Sequence, residues 1–172
     1  DVFERLVELR PGIPRYRFNL GSAQQGNAWS LNRNGKTEEA RAVAIDAVNT
    51  FVYLTKHFPQ NIQYPIGEVA ARALLAEILS ERGEFGLAEG MIDEALSILK
   101  SDSIPAESPQ KIRRTAELLM IDGQSLSRLG NHDAAMQSYE WVRDRITELA
   151  LESKLPSEMD TIAWAQFYLA QE

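Results

Sequence analysis

Three glycines constrain this chain more than any other feature. Gly35, Gly83 and Gly130 each separate two helix-length runs, and they lie 48 and 47 residues apart. Glycine at the end of a helix adopts the left-handed conformation that stops the helix and reverses the chain. A fixed period of this length is typical of stacked helical units. We therefore predict an all-α chain built from three similar helical hairpins.

Small residues recur at fixed distances from these glycines. Seven residues before, five after and twelve after each glycine, eight of the nine positions hold alanine or glycine, and a leucine lies four residues before each glycine. Small side chains let two helix axes approach closely, so we place the helix crossings there. An unrelated alanine-rich bundle is the alternative. The nine positions are Ala28, Ala76, Gly123, Ala40, Ala88, Ala135, Ala47, Ala95 and Val142, and the leucines are Leu31, Leu79 and Leu126.

Proline and capping residues predict where the helices begin. Pro14, Pro65 and Pro109 suit the first helical position, and Thr37, Ser108 and Asn131 suit N-caps. No stretch alternates with a period of two, so no strand is predicted. The units cover about 14–59, 64–103 and 108–153, with half-units at 1–10 and at 156–172, where Pro156 and Ser157 start the last helix. Together they form one predicted domain, 1–172.

Composition excludes several classes of function. The 25 acidic residues outnumber the 18 basic ones, giving a net charge of -7, which would repel a nucleic-acid backbone. The chain has no cysteine, so disulfides and thiolate chemistry are excluded. No apolar run approaches the roughly 20 residues of a membrane span, and no signal peptide is visible. We expect a cytoplasmic protein without nucleic-acid partners or membrane insertion.

The sequence contains no recognisable catalytic motif, so no catalytic residue, cofactor or metal site is predicted. The segment Gly35, Lys36 and Thr37 is like the end of a phosphate-binding loop, but the required preceding glycine is Ser30 and no strand precedes it. Neither histidine has a second ligand at helical spacing; His57 instead suits the carbonyls at a helix end. Close acidic pairs are typical of solvated helix faces rather than acid–base pairs. These pairs are Glu38 with Glu39, Glu77 with Glu81, and Glu84 with Glu89.

The hairpin segments resemble a known repeat family. GKTEEARAVAIDAV, GEFGLAEGMIDEAL and GNHDAAMQSYEWV are similar to the loop and second helix of tetratricopeptide repeats. Gly123, Gly130, Ala135 and Tyr139 match the signature best, although the period exceeds the family's 34 residues. HEAT and armadillo arrays have a similar period, but the Gly-x-x-x-x-Ala turn favours the tetratricopeptide family. The resemblance implies a right-handed α/α superhelix that binds proteins or peptides.

A second resemblance concerns roughly the first hundred residues. LRPGIPRYRFNLGSA, the GKTEEA turn and the TKHFP ending are similar to arrays that follow serine/threonine kinase domains in some bacterial proteins. This resemblance implies a fragment of a larger bacterial signalling protein.

In such an array the first helix of each hairpin lines the concave face. Trp29, between Gln25 and Arg33, is the predicted anchor for a partner side chain, and packing against a neighbouring hairpin is its alternative. Acidic tails are not expected, because the positions of the family's Lys and Asn clamp hold Gln25, Trp29, Ala73 and Glu77. We expect a partner of basic or mixed charge. The whole predicted face comprises Gln25, Trp29, Asn32, Arg33, Ala73, Glu77, Ser80, Glu81, Glu117, Met120, Gln124 and Arg128.

The last helix carries a separate prediction. Trp164, Phe167 and Tyr168 leave it apolar on more than one side. An uncovered apolar patch favours self-association, so a module that oligomerises its parent is the second hypothesis beside the interaction scaffold. A third hypothesis, an all-α enzyme, requires a pocket with convergent polar groups that the sequence does not indicate.

Overall fold

A computed structural model describes residues 2–101, 104–105, 108–153 and 157–171. The described residues form helices joined by short turns and contain no strand, as predicted. Pro156, predicted near the start of the last helix, lies outside the described residues. The helices are α1 (Val2–Leu9), α2 (Pro14–Arg33), α3 (Thr37–His57), α4 (Gln63–Glu81), α5 (Phe85–Lys100), α6 (Pro109–Arg128), α7 (His132–Ser153) and α8 (Ser157–Leu169).

Most predicted helix starts are confirmed. Pro14 and Pro109 occupy the first turns of α2 and α6, and the Ser108 hydroxyl caps α6 by accepting a hydrogen bond from the Lys111 amide at 3.2 Å. Two predictions were wrong. Thr37 is the first residue of α3 rather than its N-cap, which is Lys36, and Pro65 is the third residue of α4. Helix α4 begins earlier, where the Gln63 amide donates to the Asn61 side chain at 3.1 Å.

The three predicted glycine turns share one geometry. Gly35, Gly83 and Gly130 have φ values of 75°, 77° and 79°, in the left-handed region that favours glycine. After each glycine, the next amide donates to the carbonyl of the leucine four residues before the glycine. This pattern is the Schellman motif, and the leucines are the predicted ones. The three bonds are Lys36 N to Leu31 O at 3.0 Å, Glu84 N to Leu79 O at 2.9 Å and Asn131 N to Leu126 O at 2.9 Å.

The chain divides into two compact units, Asp1–Ile104 and Pro105–Glu172. In the first unit, α4 packs against α2, α3 and α5, and a core forms around Phe51, Leu54 and Tyr64. In the second, α7 packs against α6 and α8 around Val142 and Ile146. The single domain over 1–172 and the superhelical stacking of the hairpins stay predictions.

The predicted crossing residues are buried in all three hairpins, from Ala28 in the first to Val142 in the third. Two further glycines make close contacts that the period did not predict. A Cβ at Gly21 of α2 would lie 2.7 Å from the Phe51 ring of α3, and one at Gly67 of α4 would overlap the same ring. Phe51 of α3 therefore packs closely against both α2 and α4, because the two glycines have no side chain that would clash with its ring.

Within the described residues, no helix combines the length and the apolarity that a membrane crossing requires.

Candidate functional site

Helix α4 reaches solvent mainly through an acidic stripe. Most of its residues are buried because three helices surround it, and beyond its first residue only Glu77 and Glu81 are exposed. Residues four apart lie on one helical face, so the two carboxylates form one stripe. Two other residues predicted for this face, Ala73 and Ser80, are buried. Their assignment to the binding surface was wrong, because α2, α3 and α5 leave no room for a wider exposed face.

Trp29 lies on α2 with its side chain 55% exposed. The Arg33 guanidinium lies over the indole ring, 5.7 Å from its centroid, which is within the range of a cation–π contact. The ring is therefore available to a partner and is oriented by a neighbour one turn along the helix. The role of Trp29 as an anchor for a partner, rather than as a residue packed against a neighbouring hairpin, stays a prediction.

The two predicted amides of α2 join that helix to α4. The Asn32 Nδ2 donates to Glu81 Oε2 at 2.8 Å, and the Gln25 Nε2 donates to the Gly67 carbonyl at 3.2 Å. The Asn32 Oδ1 is buried without a hydrogen-bond partner among the described residues. Gln25 and Asn32 thus hold the two helices side by side. Trp29 and Arg33, on the same helix as these amides, are exposed to solvent.

The α6 residues of the predicted face lie in the second compact unit. Glu117, Gln124 and Arg128 are spaced seven and four residues apart, so they share one stripe of α6. Glu117 forms an ion pair with Arg114 at 2.5 Å. Met120, from the same predicted set, is partly buried and packs against the apolar core of that unit.

A charged cluster joins the turn after α4 to the start of α3. Arg82 contacts both Glu84 and Glu38, the latter at 2.6 Å, and Arg41 approaches Glu84 at 3.7 Å. The hydrogen bond from Arg82, more than any other contact, holds the pKa of Glu84 below its usual value, and the same bond raises the pKa of Arg82.

A mostly buried arginine was missed in the sequence. Arg72 of α4 forms ion pairs with Glu68 on its own helix at 2.5 Å and with Glu94 of α5 at 2.9 Å. The spacing of Glu68 and Arg72 is that of an i, i+4 helical pair, which is a visible signal. The contact with Glu94 depends on packing between helices and has no local sequence signal.

The aromatic residues of α8 form a cluster that is partly exposed. Trp164 and Phe167 are 56% and 52% exposed, and their rings meet edge to face with centroids 5.7 Å apart. Tyr168 contacts both rings and stacks on Tyr139 of α7 at 5.2 Å. The cluster is thus held on α7 through Tyr168 and presents two large aromatic side chains to solvent.

The end of α3 borders a shallow depression. His57 lies at its rim, with its Nδ1 2.8 Å from the Tyr53 carbonyl and its ring stacked on Tyr53. The ring of His57 thus lies beside a carbonyl near the helix end, where the sequence placed it. Across the residues the structure describes, no group of three or more His, Cys, Asp or Glu side chains is arranged to hold a metal ion.

Comparisons with protein-family models, with curated proteins and with solved structures find no match to this chain.

Proposed function

We propose that this chain is a non-catalytic scaffold that binds a protein or peptide of basic or mixed charge. The observation that carries the proposal is the exposed Trp29 on α2, joined through Asn32 to a helix whose exposed stripe is acidic. A large aromatic ring supplies buried area on binding, and nearby carboxylates favour cationic side chains. The tetratricopeptide resemblance supports the same type of function.

The proposed binding surface consists of Trp29, Arg33, Glu77 and Glu81 in the first unit. Within it, Trp29 would contact an apolar side chain of the partner, while Glu77 and Glu81 would pair with lysine or arginine. Gln25 and Asn32 act as positioning residues, because their amides are bonded to α4. Glu117, Gln124 and Arg128 of α6, in the second unit, are proposed to contact the same class of partner.

The proposal extends to the parent protein. The resemblance to arrays that follow kinase domains supports a bacterial signalling protein in which this chain recruits a partner. Recruitment requires no catalytic group, cofactor or metal in this segment.

Peptide binding tests the proposal directly. Fluorescence anisotropy would compare two labelled peptides of equal length, one alternating lysine with leucine and the other alternating glutamate with leucine. We expect the lysine peptide to bind more tightly, and Trp29→Ala to weaken its binding about tenfold or more, as for an interface hot spot. Glu77→Lys should reduce the preference for the lysine peptide.

Trp164→Ala is the matched control, because it removes an exposed tryptophan of similar accessibility on another helix. Equal affinity of Trp29→Ala, Trp164→Ala and the wild type would contradict the proposed surface.

Self-association is a second candidate function, favoured by the exposed Trp164 and Phe167. Apolar patches of this kind mark interaction surfaces. We expect the apparent mass by light scattering to rise with protein concentration and to fall in Trp164→Ala. A strictly monomeric wild type at high concentration would contradict this candidate.

A further inference from the structure

An apolar groove lies between α3 and α5, with α4 as its floor. Ile45 and Leu87 form exposed walls, Leu75 and Leu79 form the floor, and Arg41 lies at the end nearest the start of α3. The groove holds about 280 Å³, slightly less than the roughly 300 to 1,000 Å³ of small-molecule pockets. Its size suits one or two large side chains of a partner better than a cofactor.

The arginine at the end of the groove has unused hydrogen-bonding capacity. The Arg41 Nε is buried and has no hydrogen-bond partner among the described residues. Its guanidinium reaches Glu84 only at 3.7 Å, which is long for a charge-assisted hydrogen bond. A buried donor without a partner is costly, so a carboxylate entering this end of the groove would be stabilised.

Helix α8 presents a stripe of complementary chemistry. Asp160, Trp164 and Phe167 occupy positions i, i+4 and i+7, which lie on one helical face, and all three are exposed. The stripe spans eight residues from Asp160 to Phe167, a rise of about 10 Å along the helix. The groove runs along α3 from Arg41 to Asn49, or about 12 Å. The stripe therefore matches the groove in length, in apolar character and in the position of one charge at its end.

We propose that the α8 stripe of one copy of this chain binds in the α3–α5 groove of a second copy. Trp164 and Phe167 lie between Ile45 and Leu87, and the Asp160 carboxylate accepts a hydrogen bond from Arg41. This inference rests on the self-association proposed above and names the surface that receives the aromatic residues.

Such a contact joins two different surfaces, so each copy keeps one free groove and one free stripe. A heterologous contact of this kind adds copies head to tail unless the rotation closes a ring. Two aromatic side chains and one ion pair form a small interface, so assembly is weak and depends on concentration.

Sedimentation equilibrium of the full chain tests the inference. We expect the wild-type average mass to rise past that of a dimer as concentration increases. Leu87→Asp in the groove and Trp164→Ala in the stripe should each weaken self-association at least tenfold. An equimolar mixture of the two variants retains one intact groove and one intact stripe, so it should form a 1:1 complex that does not grow further.

The ion pair gives an independent check. Arg41→Glu and Asp160→Arg should each weaken self-association, and mixing these two variants should restore a contact through the reversed pair. Leu87, Trp164 and Asp160 are exposed, so their variants should keep wild-type helical circular dichroism and thermal melting.

Two results would overturn the inference. If Trp164→Ala abolishes self-association and Leu87→Asp leaves it unchanged, α8 pairs with another α8; self-association then stands and the groove assignment falls. A wild type that is monomeric at every concentration overturns both, while peptide binding through Trp29 is unaffected by either result.

Discussion

Helices α4 and α8 are both apolar on more than one side, yet their apolar residues have different surroundings. Helix α4 packs against α2, α3 and α5, and nearly all its apolar residues are buried. Helix α8 packs on α7, burying Ile162 and Ala165 but leaving Trp164 and Phe167 more than half exposed. An all-round apolar pattern indicates that a helix needs several neighbours. The neighbours that the fold supplies decide whether the residues form a core or an interaction surface.

Removing one large aromatic ring from each environment should give the largest difference in the free energy of unfolding. Phe51 packs on α4 at Gly67 and is buried, so Phe51→Ala should lower the free energy of unfolding by about 3–5 kcal/mol. Trp164→Ala removes a ring that is mostly in solvent and should change it by about 0.5 kcal/mol or less. Urea denaturation monitored by circular dichroism measures both. Similar losses would show that α8 is as deeply packed as α4.

Replacing a helical glycine by alanine should change the stability by a smaller amount, and the sign of the change should differ between two positions. Gly67→Ala in α4 places a Cβ against the Phe51 ring and should destabilise the protein by about 1–3 kcal/mol. Gly90→Ala in α5 has open space around it and should stabilise the protein by about 0.5–1 kcal/mol, because alanine has the higher helix propensity. Thermal melts of the two variants would test this. A stabilising Gly67→Ala would show that Phe51 moves aside without cost.

The smallest expected effect is the pH dependence of the charged cluster after α4. The pKa of Glu84 is lowered by Arg82, so the cluster stabilises the fold above the unfolded value near 4.5 and loses that contribution as pH falls through the lower, folded value. We expect Glu84→Gln to reduce the loss of stability in that acidic range.

Arg82→Gln is the matched variant, because it removes the largest cause of the shift while keeping the Glu84 carboxylate. Its stability between pH 3 and 6, measured by urea denaturation, should resemble that of Glu84→Gln. A wild-type pH dependence in both variants would contradict the assigned role of the cluster.

Local patterns predicted the helices and turns well. The left-handed glycines and the buried alanines follow from spacing that repeats along the chain, and these signals do not depend on distant contacts. Phe51 in contact with Gly21 and Gly67 was missed, because residues on three helices meet there and no period relates them. Ala73 and Ser80 were misplaced for the same reason, since their burial depends on which helices surround α4. Trp29 lies exposed on a polar stripe of α2, and its role as an anchor stays a prediction.

The geometry of the hairpin turns determines which turn residues can be substituted without loss of the fold. At Gly35 and Gly83 the reversal is closed by main-chain atoms, and the helices that follow begin without a side-chain cap. Lys36 therefore contributes only its backbone to closing its turn, whereas the Glu84 side chain also bonds to Arg82 across the Gly83 turn. A side chain that takes no part in closing its turn can change in charge and size while the glycine keeps the turn geometry. Single substitutions in these turns can therefore give new binding preferences.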